Sequence, residues 1–134
     1  MNRTECFGFC PVYHVTLRSD GSITYEGAVY VKHLGIWKAK FDLVRFDDLA
    51  RTADNVRFST LKTNPSHAYD VQETTVTVEY HTARHSVHKN GDGPKGLHRL
   101  EMQIDSVIKS AYGWKRVKPP KSKWQIQGDH DTTT

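Results

Sequence analysis

The stretch Val12-Tyr13-His14-Val15-Thr16-Leu17-Arg18-Ser19-Asp20-Gly21-Ser22-Ile23-Thr24-Tyr25-Glu26-Gly27 decides the fold class. Its first run is rich in β-branched and aromatic residues, which suit a pleated, half-buried surface. Asp20-Gly21 sits between two such runs and marks a hairpin turn, because glycine tolerates φ > 0. Ile23-Thr24-Tyr25-Glu26 alternates apolar and polar residues, so the second strand has one buried and one wet face. Tyr13 alternates with Val15 and Leu17 and shares their face. Gly27 interrupts the second strand in the manner of a bulge.

Working outward, Ile36-Trp37-Lys38-Ala39-Lys40-Phe41 alternates again and completes a three-stranded antiparallel meander. Asp42 is placed to cap a helix. Phe46, Leu49, Ala50 and Ala53 then fall on one helical face, with a helix expected from about Leu43 to Asp54. Thr74 to Tyr80 is the clearest strand, with Val76, Val78 and Tyr80 on one side, and a return strand follows near Arg84–His88. After the glycine-rich loop at Asn90–Gly96, residues Leu97, Leu100, Ile104, Val107, Ile108 and Ala111 mark an amphipathic helix that Gly113 stops. The order is strand, strand, strand, helix, strand, strand, helix. This implies an α+β, two-layer sandwich: an antiparallel sheet with two helices packed on one face.

With 134 residues, 37% of them hydrophobic, the chain is one domain able to bury a core. No run approaches the ~20 apolar residues of a membrane span. Residues 1–113 hold 14 bases and 13 acids, and residues 114–134 hold five bases and two acids, so the excess of the net charge of +4 belongs to the end of the chain. Residues 1–113 therefore read as the folded domain, and 114–134 as a basic, partly disordered tail with Trp and Pro. In that tail Lys115, Arg116, Lys118, Lys121 and Lys123 are interleaved with Trp114 and Trp124. Phosphate contacts and base stacking would let such a segment bind nucleic acid or an acidic partner.

Two further features set the candidate chemistry. Cys6 and Cys10 have three residues between them. The pair reads as a disulfide, as packed thiols, as part of a metal site, or as a redox pair; the spacing fits the first two best. The first residues, Met1 to Cys6, show no apolar core of a secretion signal, which reads as cytoplasmic, with an envelope or periplasmic location if a signal has been removed. His81, His85 and His88 form the densest histidine group. A two-residue turn at Thr82-Ala83 would leave His81 and His88 on one face about 13 Å apart, too far to share a metal. Glu101 and Asp105, four residues apart on the second helix, read as a solvated carboxylate pair. No catalytic set, metal centre or cofactor motif is present in the sequence pattern.

The run Cys6-Phe7-Gly8-Phe9-Cys10-Pro11-Val12-Tyr13, with Asp20-Gly21 and Tyr25-Glu26-Gly27 behind it, resembles the DUF6438 family, whose signature is C-x-G-x-C-P-x-Y followed by D-G-x-x-x-Y-x-G. Asp70 ahead of Thr74-Thr75-Val76-Thr77-Val78 resembles a later strand of that family, and the resemblance covers residues 3–112. It implies an α+β domain, often in bacterial proteins with an export or lipoprotein signal, and no established activity. The motif residues Cys6, Gly8, Cys10, Pro11, Tyr13, Asp20, Gly21, Tyr25, Gly27 and Asp70 are the candidate structural or ligand positions. The leading expectation is a non-catalytic binding or structural module for a protein or small ligand. A binder acting through the tail, or a thiol or metal site at Cys6 and Cys10, is the alternative.

Overall fold

The computed structural model describes residues 1–63 and 71–120. Among the described residues there are seven strands and two helices: β1 (Asn2–Arg3), β2 (Val12–Leu17), β3 (Ser22–Val29), β4 (Gly35–Lys40), α1 (Leu43–Asn55), β5 (Glu73–Glu79), β6 (Arg84–Asn90), α2 (Lys95–Ser110) and β7 (Tyr112–Lys118), with a 3-10 turn at Phe58–Thr60. The expected α+β class and the expected elements are there, with β1 and β7 in addition.

The sheet runs β6-β5-β1-β2-β3-β4-β7, and every neighbouring pair is antiparallel. The meander and the β5–β6 hairpin are therefore two halves. The two-residue β1 joins them, pairing Arg3 with Tyr13 on one side and with Thr74 on the other. Such a short strand has no pattern to read, so its place comes from long-range pairing alone.

One face of the sheet is apolar because the pleat sends alternate residues the same way. Tyr13, Val15, Ile23, Tyr25, Ala39, Val76 and Val87 are buried on it, and Leu49 and Ala53 of α1 and Leu97, Leu100, Ile104 and Val107 of α2 close the same core. His14, Thr16, Glu26, Lys38 and Ser86 lie on the other, open face. Asp42 caps α1 as expected, its carboxylate accepting from the Val44 amide at 3.0 Å. Phe58 follows through the 3-10 turn and is fully buried.

The chain does not leave the fold at Gly113. The helix ends earlier, at Ser110, and Tyr112–Lys118 pairs with β4 as an edge strand. Gly113 adopts φ 68 and supplies a bulge: Lys38 opposes Lys115 and Lys40 opposes Tyr112, so β7 has two residues against one. The separation at Gly113 between folded domain and tail therefore moves to beyond Lys118 for the described residues. The physical reason is Trp114, whose indole packs onto the core beside Tyr25, His33 and Trp37. A strand made mostly of Lys, Arg and Gly hides this single apolar anchor.

Candidate functional site

The family-signature residues do not converge on one point. Asp20 and Gly21 lie in the β2–β3 turn. There the Asp20 carboxylate accepts from the Ser22 amide at 2.9 Å, and the Gly21 amide donates to the Arg18 carbonyl at 3.0 Å. The hydrogen bonds from Ser22 hold the Asp20 carboxyl below its usual range. This pair builds the turn. Cys6, Gly8, Cys10, Pro11, Tyr13, Tyr25 and Gly27 collect toward the opposite end of the meander.

At that end Cys6 and Cys10 are joined by a disulfide, with their Cα atoms 5.8 Å apart. Of the four readings open to the pair, the structure takes the first. Gly8, at φ 150, lets the chain reverse inside the ring, and its amide donates to the Cys6 carbonyl at 3.0 Å. Phe7 and Phe9 flank it and are 86% and 83% exposed. The Phe9 ring meets the Tyr30 ring edge-on at 5.2 Å. Pro11 leads into β2, and its carbonyl accepts from the Gln72 side-chain amide, which also donates to the Thr4 carbonyl at 3.0 Å. The root of the loop is thus tied to both halves of the sheet.

Behind the loop, under the helices, Tyr13 stacks on Tyr25 with ring centroids 5.4 Å apart. Tyr25 in turn meets Trp114 edge-on at 5.6 Å, and His33 lies flat on Trp114 at 3.8 Å. Gly27 makes this possible. A Cβ there would stand 2.0 Å from the His33 carbonyl oxygen and 2.7 Å from Val31 Cγ2. The β3–β4 connection can fold over β3 only because position 27 has no side chain. Ala28 is the extra residue of the bulge beside it, since Val12 opposes Val29 while Tyr13 opposes Gly27. Burial, with Lys32 adjoining, holds the His33 imidazole below its ordinary pKa, so it stacks as a neutral ring near neutral pH.

A chain of polar contacts runs from Tyr13 into α2. The Tyr13 hydroxyl donates to Asp105 Oδ1. Arg3 donates to Asp105 Oδ2 at 3.0 Å and to Glu101 Oε1 at 3.2 Å, and Lys89 stands 2.9 Å from Glu101 Oε2. The Arg3 guanidinium also lies 5.8 Å from the centroid of the Tyr13 ring. The expected solvated pair is therefore a correction: Glu101 is 3% exposed, and Asp105 faces Tyr13 and Arg3. The signal was in the sequence. Glu101 falls one residue after Leu100, four after Leu97 and three before Ile104, squarely on the apolar face. Arg3, Lys89, His33, Phe7 and Phe9 carried no such signal. A crevice of about 360 Å³ opens beside this chain, bordered by Arg3, Gln72, Lys89, His98, Glu101 and Asp105.

Burial and then the Asp105 charge push the Tyr25 phenol up to about 12, and burial with the Asp105 hydrogen bond pushes Tyr13 up as well. In the unfolded chain both ionise near pH 10. Above that pH the unfolded state releases protons that the folded state keeps, so the Tyr25 contribution is intact below about pH 10 and lost as pH rises through about 12. The thermal midpoint should fall steeply between pH 10 and 12, and the Tyr25→Phe variant should fall less steeply, by about 2 kcal/mol of stability at the alkaline end. Equal slopes for the two proteins would contradict the assignment.

The histidine hairpin closes differently from its expected register. Glu79 opposes Arg84, Val78 opposes His85 and Thr75 opposes His88, so the turn is four residues long. His85 Nε2 donates to the Leu61 carbonyl at 2.8 Å, and His88 Nδ1 shares a hydrogen bond with Thr75 Oγ1 at 2.9 Å. Among the described residues no three His, Cys, Asp or Glu side chains are grouped to hold a metal. Lys115, Arg116 and Lys118 are exposed on β7, whereas one face of the Trp114 indole is covered by His33. Asp70, Lys121, Lys123 and Trp124 lie outside the described residues. No helix among the described residues is long and apolar enough to cross a membrane.

The disulfide-closed loop, the tyrosine stack and most of the closing helix fall within one family description, a domain of unknown function, DUF6438, which matches residues 1–108. The chain belongs to the DUF6438 family. No curated protein and no solved structure matches it. The DUF6438 match stops inside α2, so β7, with Trp114 and the exposed bases, lies beyond the matched residues.

Proposed function

We propose that this DUF6438 domain is a non-catalytic binding module that docks a protein partner through the loop closed by Cys6 and Cys10. One observation carries the reading: two phenylalanines, 86% and 83% exposed, are held outward on a covalently closed ring. Leaving a phenylalanine in water forgoes about 1.5–3 kcal/mol of burial. A ring that fixes two such side chains also removes much of the entropy cost of docking them. Rigid aromatic anchors of this kind dominate protein interfaces. The chain of contacts from Tyr13 through Asp105 to Arg3 acts as the mount, because Tyr13 stands three residues from Cys10. The disulfide also supports an oxidising compartment, in place of the cytoplasmic location suggested by the first residues.

Peptides selected from a phage-displayed random library on the wild-type domain test the reading. Their binding should weaken about 30-fold or more on the Phe7→Ser/Phe9→Ser variant. The Cys6→Ser/Cys10→Ser variant should weaken binding about tenfold, while losing about 2 kcal/mol or less of stability, because so short a loop restricts the unfolded chain little. Peptides that bind the Phe7→Ser/Phe9→Ser variant as tightly as the wild type would defeat the proposal.

A further inference from the structure

The same end of the sheet carries a second feature beside the aromatic loop. Tyr30, with φ 54, opens the β3–β4 connection, which also presents Lys32 and Leu34 to solvent. Gly35 closes that connection and lies under the end of β7: a Cβ at Gly35 would stand 2.3 Å from the Lys118 carbonyl oxygen. Lys118 opposes Ile36 and Arg116 opposes Trp37. Lys32, within that connection, and Lys118, beside Gly35, thus share the end of the sheet with Phe9, Tyr30 and Leu34, while Arg116 falls on the opposite sheet face from Lys118. All three bases are exposed, and none forms an ion pair among the described residues. Glu5, at the foot of the loop, is the acid nearest in sequence to the aromatic ring.

We infer that the partner's docking site is an apolar pocket rimmed by carboxylates, which takes Phe7 and Phe9 while its rim meets Lys32 and Lys118. This rests on the docking role proposed above for the loop. A second copy of the chain is a poor occupant, because two such patches face to face would set like charges against each other. An anionic bilayer matches the charge but not the backbone. The peptide groups around Phe7 and Phe9 would enter hydrocarbon without partners, whereas a protein pocket can supply them. The rim bases act mainly on encounter and specificity, and the aromatic rings on residence time.

The experiment uses the full chain and the peptides selected from the random library. Their sequences should show Asp and Glu flanking apolar positions. Raising the salt concentration should weaken binding about threefold or more. The Lys32→Glu/Lys118→Glu variant should weaken it about tenfold, chiefly through a slower on-rate. Cosedimentation with phosphatidylcholine–phosphatidylserine vesicles should show no binding, and sedimentation equilibrium should show a monomer. Peptides that need Phe7 and Phe9 but are neither acidic nor salt-sensitive would overturn the carboxylate rim and leave the docking loop standing. Peptides indifferent to Phe7 and Phe9 would overturn the loop and the rim together. Binding to vesicles in place of peptides would overturn the protein partner in favour of a lipid surface, and self-association through the loop would overturn it in favour of a second copy.

Discussion

Gly27→Ala is expected to lower the thermal midpoint of the domain by about 10 °C or more, corresponding to about 3 kcal/mol. The cause is overlap. The added carbon would fall 2.0 Å from the His33 carbonyl oxygen, 2.7 Å from Val31 Cγ2 and 3.0 Å from Tyr25 Cε1. The first of these is backbone and cannot rotate away. Relief requires the whole β3–β4 connection to lift, which separates His33 from Trp114 and pulls Tyr30 from Phe9. Gly113→Ala separates this cause from torsional strain. Gly113 has φ 68 and nothing within 4 Å of its would-be Cβ, so only the left-handed backbone is penalised. That costs about 1–2 kcal/mol. Thermal unfolding followed by circular dichroism should therefore rank Gly27→Ala well below Gly113→Ala. The reverse order, or a Gly27→Ala midpoint within about 2 °C of wild type, would show that the connection does not press on β3 as described.

The parts of the fold that the sequence discloses are those set by local chemistry. Asp20-Gly21 gives a turn, Asp42 gives a cap, and the spacing of Leu97, Leu100, Ile104 and Val107 gives a helix face. Each of these follows from residues within a few positions of one another. The missed strands are set by distant partners. β1 exists because Asn2 and Arg3 meet both His14–Tyr13 and Thr75–Thr74, and β7 because Trp114 finds a place beside Tyr25 and His33. Lysines on β7 conceal the strand because bases are also what exposed sheet edges carry to discourage pairing with other chains. The candidate site divides the same way. The cysteine pair, Tyr13, Tyr25 and Gly27 stand out as a motif. What they do depends on Asp105, Arg3 and His33, which are brought to them from elsewhere in the chain. Phe7 and Phe9 show a different limit, since a phenylalanine in sequence reads as core until its exposure is seen.

Glu101→Ala is the second large effect, with an expected loss of about 3–5 kcal/mol. The side chain of Glu101 is 4% exposed, and it answers two cations, Arg3 at 3.2 Å and Lys89 at 2.9 Å, whose side chains are 17% and 15% exposed. Removing the carboxylate leaves Lys89 without its counter-charge in a nearly dry setting and leaves Arg3 with Asp105 alone. The cost is that of stranding charge, not of losing a bond. Asp105→Asn should be milder, about 1–2 kcal/mol, because an amide oxygen can still accept from Tyr13 and Arg3 keeps Glu101. Urea unfolding at neutral pH measures both. A triple replacement, Arg3→Met/Lys89→Met/Glu101→Leu, supplies the decisive comparison: if stranded charge is the cause, removing all three charges together recovers most of the loss. A Glu101→Ala variant within about 1 kcal/mol of wild type would mean that Lys89 and Arg3 swing out to water at little cost. Arg3 belongs to the two-residue strand that joins the halves of the sheet, and through Asp105 it holds Tyr13, at the root of the disulfide loop. Loss of Glu101 should therefore be felt at Phe7 and Phe9 before the domain unfolds, as faster exchange of the amides between Cys6 and Tyr13.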